Sequence, residues 1–154
     1  MKILLLVLVA FGAFVVFVAY RFRRLVIQSR TMSPPPGVVG GKLTVCASPM
    51  RCVNSDESSE ANIASLSISV RGDEAQRRVE VALVKIGGSV RTRQPGYLHA
   101  EFQSKLFGFV DDVEIRFCEG GAAVRSSSRV GKSDLGANKK RVEQLRAALA
   151  ESAR

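Results

Sequence analysis

The chain has 154 residues and a formal net charge of +9. That length holds one small soluble domain and little more. A basic chain of this size could bind nucleic acid, but it carries no recognisable DNA-binding or RNA-binding motif and only 6% aromatic residues. We therefore expect no nucleic-acid partner.

The chain begins with an apolar block. Residues 3–20 contain no charged side chain, and a run of about 17–25 such residues spans a bilayer as a helix. A cleaved signal peptide is the alternative, but it normally has a shorter apolar core and a small-x-small cleavage site, whereas Val18-Ala19-Tyr20 ends this run. The sequence predicts a single-pass anchor with a basic flank in residues 1–30, and the lipid bilayer as the partner of residues 3–20.

The basic residues beside the block predict the orientation of the anchor. Arg21, Arg23 and Arg24 follow it closely, and Lys2 is the only basic side chain before it. The positive-inside rule then predicts a single-pass protein of the cell inner membrane with its soluble domain in the cytoplasm. An export-type reading of the same block would place the domain in the periplasm.

A linker separates the anchor from the soluble domain. Residues 31–41 (TMSPPPGVVGG) are rich in proline and glycine, which favours an extended connection that holds the domain a short distance from the bilayer. The domain then occupies residues 42–154. Near its start, Cys46 and Cys52 would form a short-loop disulfide in an oxidising compartment or remain free thiols in the cytosol.

We expect no metal and no cofactor. Cys118 and His99 could in principle join the two cysteines around zinc, but the spacing of these residues is not that of a zinc site. Cys118 is then a small, half-buried apolar residue.

Hydrophobic periodicity predicts an α+β domain. A strand is expected at residues 63–70, and a helix should start at Gly72 and close at Gly87. Further strands are expected at residues 89–93, 97–104, 112–117 and 122–129, and a final helix from Asn138 to Glu151. This pattern predicts an antiparallel β-meander of about five strands packed by two α-helices.

Strand alternation gathers charged side chains on the sheet face opposite the core. The favoured interpretation is a face exposed to water with weak cross-strand ion pairs. The alternative is an anion-binding surface that uses Arg125 and Arg129 together with the start of the last helix. There, Asn138 is predicted as the N-cap, and Lys139 and Arg141 follow in the first turn. Because the helix dipole is already positive at this end, cations in the first turn would attract a phosphate or carboxylate, unless Asp134 and Glu143 neutralise them.

An enzyme is the less favoured alternative. His99, the only histidine, and Glu101 share a strand face, and Asp111 and Asp112 follow a nearby apolar loop. These groups could supply a general acid and base. The sequence has no nucleophile elbow, no metalloprotease motif and no glycine-rich phosphate loop, so we favour a non-enzymatic protein.

The soluble part of the chain contains several long, specific segments. They are residues 97–102 (YLHAEF), 107–114 (FGFVDDVE), 124–131 (VRSSSRVG), 133–136 (SDLG) and 138–143 (NKKRVE). These segments resemble the family catalogued as domain of unknown function 1499. The similarity covers about residues 42–149, and residues 48–55 (SPMRCVNS) are similar to the family's N-terminal signature, with Met50-Arg51 in place of a single asparagine.

The resemblance implies a small membrane-associated or envelope domain of bacteria or plastids with no assigned activity. From the residues, our leading hypothesis is a binding module at the membrane surface that recognises an anionic ligand, a lipid headgroup or an acidic partner. The two alternatives are a small hydrolase-like enzyme built on His99 and a purely structural envelope protein.

Overall fold

The computed structural model describes residues 2–152. Residue 1 of the predicted anchor and residues 153 and 154 of the predicted domain lie outside the described part of the chain. The fold is α+β, as predicted. A long N-terminal helix leads into an antiparallel sheet that two further helices cover.

Helix α1 (Lys2–Thr31) contains the apolar block and continues past it through the basic flank. Within the described residues, it is the one helix that is long and apolar enough to cross a membrane. All its side chains from residue 2 to residue 25 are exposed, whereas Ser29 near its end is fully buried. The helix is therefore free along its apolar part and packed against the domain at its C-terminal end.

The sheet is a meander with two short strands added at one edge. Two-residue strands β1 (Val38–Val39) and β2 (Lys42–Leu43) form a separate ladder. The main sheet has the order β3-β8-β7-β6-β5, and β4 also pairs with β8. Its members are β3 (Cys52–Asn54), β4 (Leu66–Ser67), β5 (Ser89–Gln94), β6 (Tyr97–Gln103), β7 (Val110–Cys118) and β8 (Gly121–Ser128).

The core lies between one face of this sheet and helices α2 (Gly72–Lys85) and α3 (Ala137–Glu151). The apolar residues that the helix periodicity places toward the core are buried: Leu83 is fully buried, and Val142 and Leu145 are each 1% exposed. The strands contribute the alternate positions Leu98 and Ala100, both fully buried. The core face of the sheet is therefore the one that alternation predicts.

The predicted strand at residues 63–70 is wrong in length, since only Leu66–Ser67 is strand. The reason is competition for one edge of β8. Strand β3 pairs with residues 125–127 of β8, which leaves Ala122 and Gly121 for β4. The sheet consequently has six strands, two of them very short, instead of about five.

The opposite face of the sheet is not open to water, so the prediction of a solvated face is wrong. The end of α1, the proline segment and residues 42–57 lie over it. Leu43 is 3% exposed and packs with Tyr97 and Ala123 in a second small core. Gly37 lies on the Tyr97 ring, because a Cβ there would be 3.5 Å from the ring carbon Cζ. On this face His99, Asp112, Glu114 and Arg129 are therefore buried, whereas Arg91 on the edge strand β5 is 57% exposed.

Candidate functional site

Arg129 is the centre of the buried polar face. Its Nε donates to Asp112 Oδ2 at 2.8 Å, and its Nη2 donates to Asp112 Oδ1 at 2.7 Å and to Glu101 Oε1 at 2.6 Å. Its Nη1 donates to the carbonyl oxygens of Ser29 at 3.1 Å and Met32 at 3.3 Å. A guanidinium has five N–H donors, so this side chain has none left for a ligand.

These contacts join helix α1 to the sheet. The last carbonyls of a helix have no partner within it and carry the negative end of its dipole, and Arg129 satisfies two carbonyls at the end of α1. In addition, Ser29 Oγ accepts from the Val110 N–H at 3.3 Å, and Arg30 Nε donates to the Gly108 carbonyl at 3.1 Å. The domain is thus docked on the end of α1, contrary to the expectation that a linker holds it away from this helix.

His99 and Asp112 form a buried pair beside Arg129. His99 Nε2 lies 2.8 Å from Asp112 Oδ1, and the two side chains are 2% and 5% exposed. Burial alone would raise the pKa of Asp112, but hydrogen bonds from Arg129 and His99 outweigh burial and hold this pKa below its usual value. The bond to Asp112 in turn raises the pKa of Arg129. Asp112 is therefore ionised and tied on both sides.

A second buried group surrounds Glu114. Its carboxylate accepts from Tyr97 Oη at 2.9 Å and from Arg125 Nη1 at 2.7 Å. Burial raises the pKa of Glu114 even though Arg125 and Tyr97 favour its charged form, and burial together with Glu114 raises the pKa of Tyr97. Among the atoms described, Arg125 Nε is a buried donor without an acceptor. The bond to Glu114 thus holds the Arg125 side chain inside the domain.

Residues 42–57 are fastened over this face by ion pairs and a disulfide. Arg116 holds Asp56 with two hydrogen bonds of 3.0 and 2.7 Å, and Asp56 also accepts from the Leu43 N–H at 2.9 Å. Burial would raise the pKa of Asp56, but the hydrogen bonds from Arg116 and Leu43 lower it. Cys46 and Cys52 are joined as a disulfide with a Cα–Cα distance of 5.7 Å. The segment is therefore a fixed cover.

The start of α3 differs from the prediction. Helix α3 begins at Ala137 after Gly136, which has the left-handed φ of 80°, so Asn138 lies inside the helix and is not its N-cap. Asp134 takes the capping role instead, because its carboxylate accepts from the N–H groups of Gly136 and Asn138, each at 2.9 Å. Lys139 is exposed, so one predicted cation of this turn faces solvent.

Asn138 and Arg141 turn inward from the same helix. The amide of Asn138 is fully buried and donates to the Arg51 carbonyl and the Ser128 hydroxyl, both at 3.0 Å. Arg141 Nη2 bonds Asp111 Oδ2 at 2.7 Å. Asp111 therefore faces α3 across the core side of the sheet, since neighbouring strand residues point to opposite faces. The structure does not bring it together with His99.

One polar cleft of about 380 Å³ opens at the end of α1. We call it the Arg30 cleft. The carboxylate that lines the cleft belongs to Glu101, and it accepts from Arg91 Nε at 2.7 Å and from Arg129 at 2.6 Å. Within residues 2–152, no carboxylate lies within ion-pair distance of Arg30. The residues that line the cleft are Arg30, Gly87, Ser89, Arg91, Glu101, Gln103, Val110 and Arg129.

A second cleft, of about 450 Å³, reaches the buried histidine. We call it the His99 cleft. The proline segment 34–36 forms one wall, and Thr92, Tyr97 and Arg116 line the other side with His99. Thr92 is the direct cross-strand neighbour of His99. His99 therefore lies at a concave site with a carboxylate in hydrogen-bond contact, as an acid–base group requires, while Glu101 opens to the other cleft.

Neither cleft contains a group of metal ligands. No cluster of three or more histidine, cysteine, aspartate or glutamate side chains suited to a metal occurs in the described part of the chain. Cys118 is an exposed free thiol, not the half-buried residue expected.

No sequence pattern indicates that Ser29 and Arg30 belong to the site. Both stand in the basic flank of the anchor, and their contacts span 81 and 78 positions of the chain. Strand alternation does place Arg91 on the charged face of the sheet. Its position in a cleft could not be read from alternation, because alternation assigns a face and not what covers it.

The comparison with known families agrees with the resemblance noted above. The family described as "Protein of unknown function (DUF1499)" matches residues 42–149, which is most of the chain. No curated protein and no solved structure matches the chain.

Proposed function

We propose a function from the geometry of the site, because this chain belongs to the DUF1499 family, whose description assigns none. Helix α1 is a single-pass anchor in the cell inner membrane. The α+β domain is a non-enzymatic binding module that recognises an anionic, phosphate-bearing group at the membrane surface, in the Arg30 cleft.

The observation that carries this proposal is the charge of the cleft. Three arginine side chains line it against the single carboxylate of Glu101. Glu101 accepts from two of them, Arg91 and Arg129. Arg30, whose Nε is held by the Gly108 carbonyl, adds a guanidinium that has no carboxylate within ion-pair distance among residues 2–152. Arg91 is 57% exposed in its side chain, so it can reorient toward a ligand. Arginine binds phosphate oxygens through paired N–H donors.

The position of the cleft along α1 fits a ligand at the membrane surface. Arg30 lies ten residues beyond Tyr20, which is about 15 Å along a helix that rises 1.5 Å per residue. The headgroup layer is roughly 5–8 Å thick on each side of the hydrocarbon core. With α1 along the membrane normal, the cleft therefore opens roughly 7–10 Å beyond this layer. Soluble anions reach it there directly, and a lipid headgroup reaches it when the helix tilts.

The proposed site does not include Arg125 and Arg129, the arginines predicted from the sequence, because their side chains are already engaged in ion pairs. Arg129 uses all its donors internally, and Arg125 and Arg141 each hold a carboxylate. Binding an anion there would break a buried pair, which is costly. The exposed Lys139 at the start of α3 remains a weaker candidate for the same anion.

The test measures stabilisation of the full chain by the anion. A ligand that binds the folded state raises the free energy of unfolding as its concentration rises. The chain in nanodiscs of phosphatidylcholine is unfolded by heat while the fraction of phosphatidylglycerol is increased. In a second arm, inorganic phosphate is added to pure phosphatidylcholine discs. A rise in melting temperature in the first arm alone identifies a lipid headgroup, and a rise in the second identifies a soluble anion.

Two variants on strand β5 make the test specific. We expect Arg91→Gln, alone or with Arg30→Gln, to abolish the rise in melting temperature. Arg93→Gln is the matched control, because Arg93 stands on the same strand at 60% exposure but pairs with Glu80 away from the cleft. If neither anion stabilises the wild-type chain, or if Arg93→Gln removes the effect as completely as Arg91→Gln does, the cleft is not an anion site.

We also propose that the domain lies on the periplasmic side of the membrane, the alternative to the charge-based prediction. The Cys46–Cys52 disulfide supports it, because disulfides persist in oxidising compartments. Cys118 provides the test, since it is free and exposed. A membrane-impermeant maleimide added to intact spheroplasts should label Cys118 alone, and labelling of the two other cysteines should require reductant. Labelling that appears only after lysis would instead place the domain in the cytoplasm.

The His99 cleft supports a second candidate function, a small hydrolase-like enzyme. The 2.8 Å contact between His99 Nε2 and Asp112 gives the histidine an orienting carboxylate, the usual arrangement of a general base. Serine and cysteine side chains are missing from the described lining of this cleft, and the Tyr97 hydroxyl is bonded to Glu114. The nucleophile would then be water or the hydroxyl of Thr92, which also lines the cleft. Ester and phosphoester hydrolysis that disappears in His99→Gln, with an unchanged melting temperature, would favour this candidate over the binding module.

A further inference from the structure

The hairpin between β6 and β7 ends in an apolar tip that the site does not use. We define the hairpin tip as residues 104–109 (SKLFGF). Leu106 is 80% exposed and Phe107 is 51% exposed, although both are large apolar side chains. An exposed apolar pair at the end of a hairpin indicates a contact surface.

The hairpin tip lies against the membrane helix. The ring centroid of Phe107 is 4.9 Å from that of Phe22, and the ring of Phe109 is 5.2 Å from it, both edge-on. Farther from the apolar block, Val110 contacts Ser29. The hairpin therefore runs along α1 toward the apolar block, with its most exposed side chains at the end nearest that block.

The depth of the tip follows from the helix it touches. Phe22 stands two residues after Tyr20, the end of the uncharged run, which is about 3 Å along the helix axis. Phe107, in contact with Phe22, is consequently at the edge of the hydrocarbon core. Aromatic and apolar side chains are favoured at this depth, and Lys105 can extend its ammonium group to the headgroups.

We infer that the hairpin tip inserts Leu106 and Phe107 into the bilayer interface beside α1, as a second membrane contact of the domain. This inference rests on α1 spanning the membrane, as proposed above, and it is independent of anion binding in the Arg30 cleft. With two contacts, one helix and one loop, the bilayer fixes both the height and the rotation of the sheet.

The absence of tryptophan from the chain permits a direct test. Phe107→Trp and, because Phe107 packs on Phe22, also Leu106→Trp each introduce a single fluorophore into the full chain. The variants are reconstituted in vesicles of phosphatidylcholine with and without bromine on the acyl chains. Phe11→Trp, within the apolar block, is the membrane control. Gln94→Trp, at the opposite end of the sheet, about 20 Å farther along the strands, is the solvent control.

We expect Trp fluorescence from positions 106 and 107 to be blue-shifted relative to position 94 and quenched by the brominated chains. Position 11 should be quenched most and position 94 not at all. If position 11 is quenched while positions 106 and 107 behave like position 94, the hairpin tip is in water and the inference is wrong. If position 11 is not quenched, α1 is not in the bilayer, and the anchor proposal and this inference fail together.

Discussion

Replacing Arg129 with methionine tests whether the buried polar network holds the domain together. The change keeps an unbranched apolar stem but removes the guanidinium, with its charge and all five hydrogen bonds. The side chains of Arg129 and Asp112 are 4% and 5% exposed, so Asp112 would remain buried with one partner, His99. Removing one member of a buried ion pair costs about 3–5 kcal/mol, which is a large part of the ~5–15 kcal/mol that stabilises a small domain.

At roughly 4 °C per kcal/mol for a domain of this size, the melting temperature of Arg129→Met should fall by about 12–20 °C. Far-UV circular dichroism of the full chain in detergent measures it. Arg91→Met is the matched control, because Arg91 bonds the same Glu101 from an exposed position and should cost at most about 1 kcal/mol. If Arg129→Met loses no more stability than Arg91→Met, the ion pairs behave as a solvated face and our account of the network is wrong.

Further predictions concern pH, the α3 start and the disulfide. Stability should fall as pH drops below about 4, because the folded-state pKa values of Asp56 and Asp112 lie below their ordinary values and the unfolded chain binds more protons there. The urea midpoint of Asp56→Asn should change less with pH than that of the wild type. Asn138→Ala should cost about 1–3 kcal/mol because it leaves buried polar groups unpaired, whereas Lys139→Ala on the exposed side should stay within about 0.5 kcal/mol, as urea unfolding would show. Cys52→Ser should cost about 2 kcal/mol by freeing a short loop in the unfolded state, and the same cost in wild-type protein treated with reductant would confirm that the disulfide is its source.

The regular elements of the fold follow from the sequence because their signals are local. Alternation gave the strands from Ser89 to Ser128 and their core face, and the 3.6-residue period gave the buried residues of α2 and α3. The predicted start of α3 was wrong because two residues can act as its cap. Asn138 has a suitable side chain, but the Asp134 carboxylate accepts from the free N–H groups at the helix start. Asn138 instead bonds buried atoms of the sheet.

The site could not be derived in the same way, because its decisive contacts are long-range. Alternation placed Arg129 on a polar face, and such faces commonly meet water. The burial of this arginine comes from carbonyls that are 100 and 97 positions away in the chain. The sequence has no marker for this contact, since any residue supplies a carbonyl.

The capping of α1 by Arg129 has a mechanical consequence. A proline linker alone would leave the orientation of the domain relative to α1 variable. The hydrogen bonds from the sheet to the end of α1 connect the two directly, so that helix and sheet move as one rigid unit. A transmembrane helix tilts when its apolar length exceeds the local bilayer thickness. If α1 spans the membrane as proposed above, such a tilt would be transmitted directly to the sheet, and a thinner bilayer would turn both clefts relative to the membrane plane.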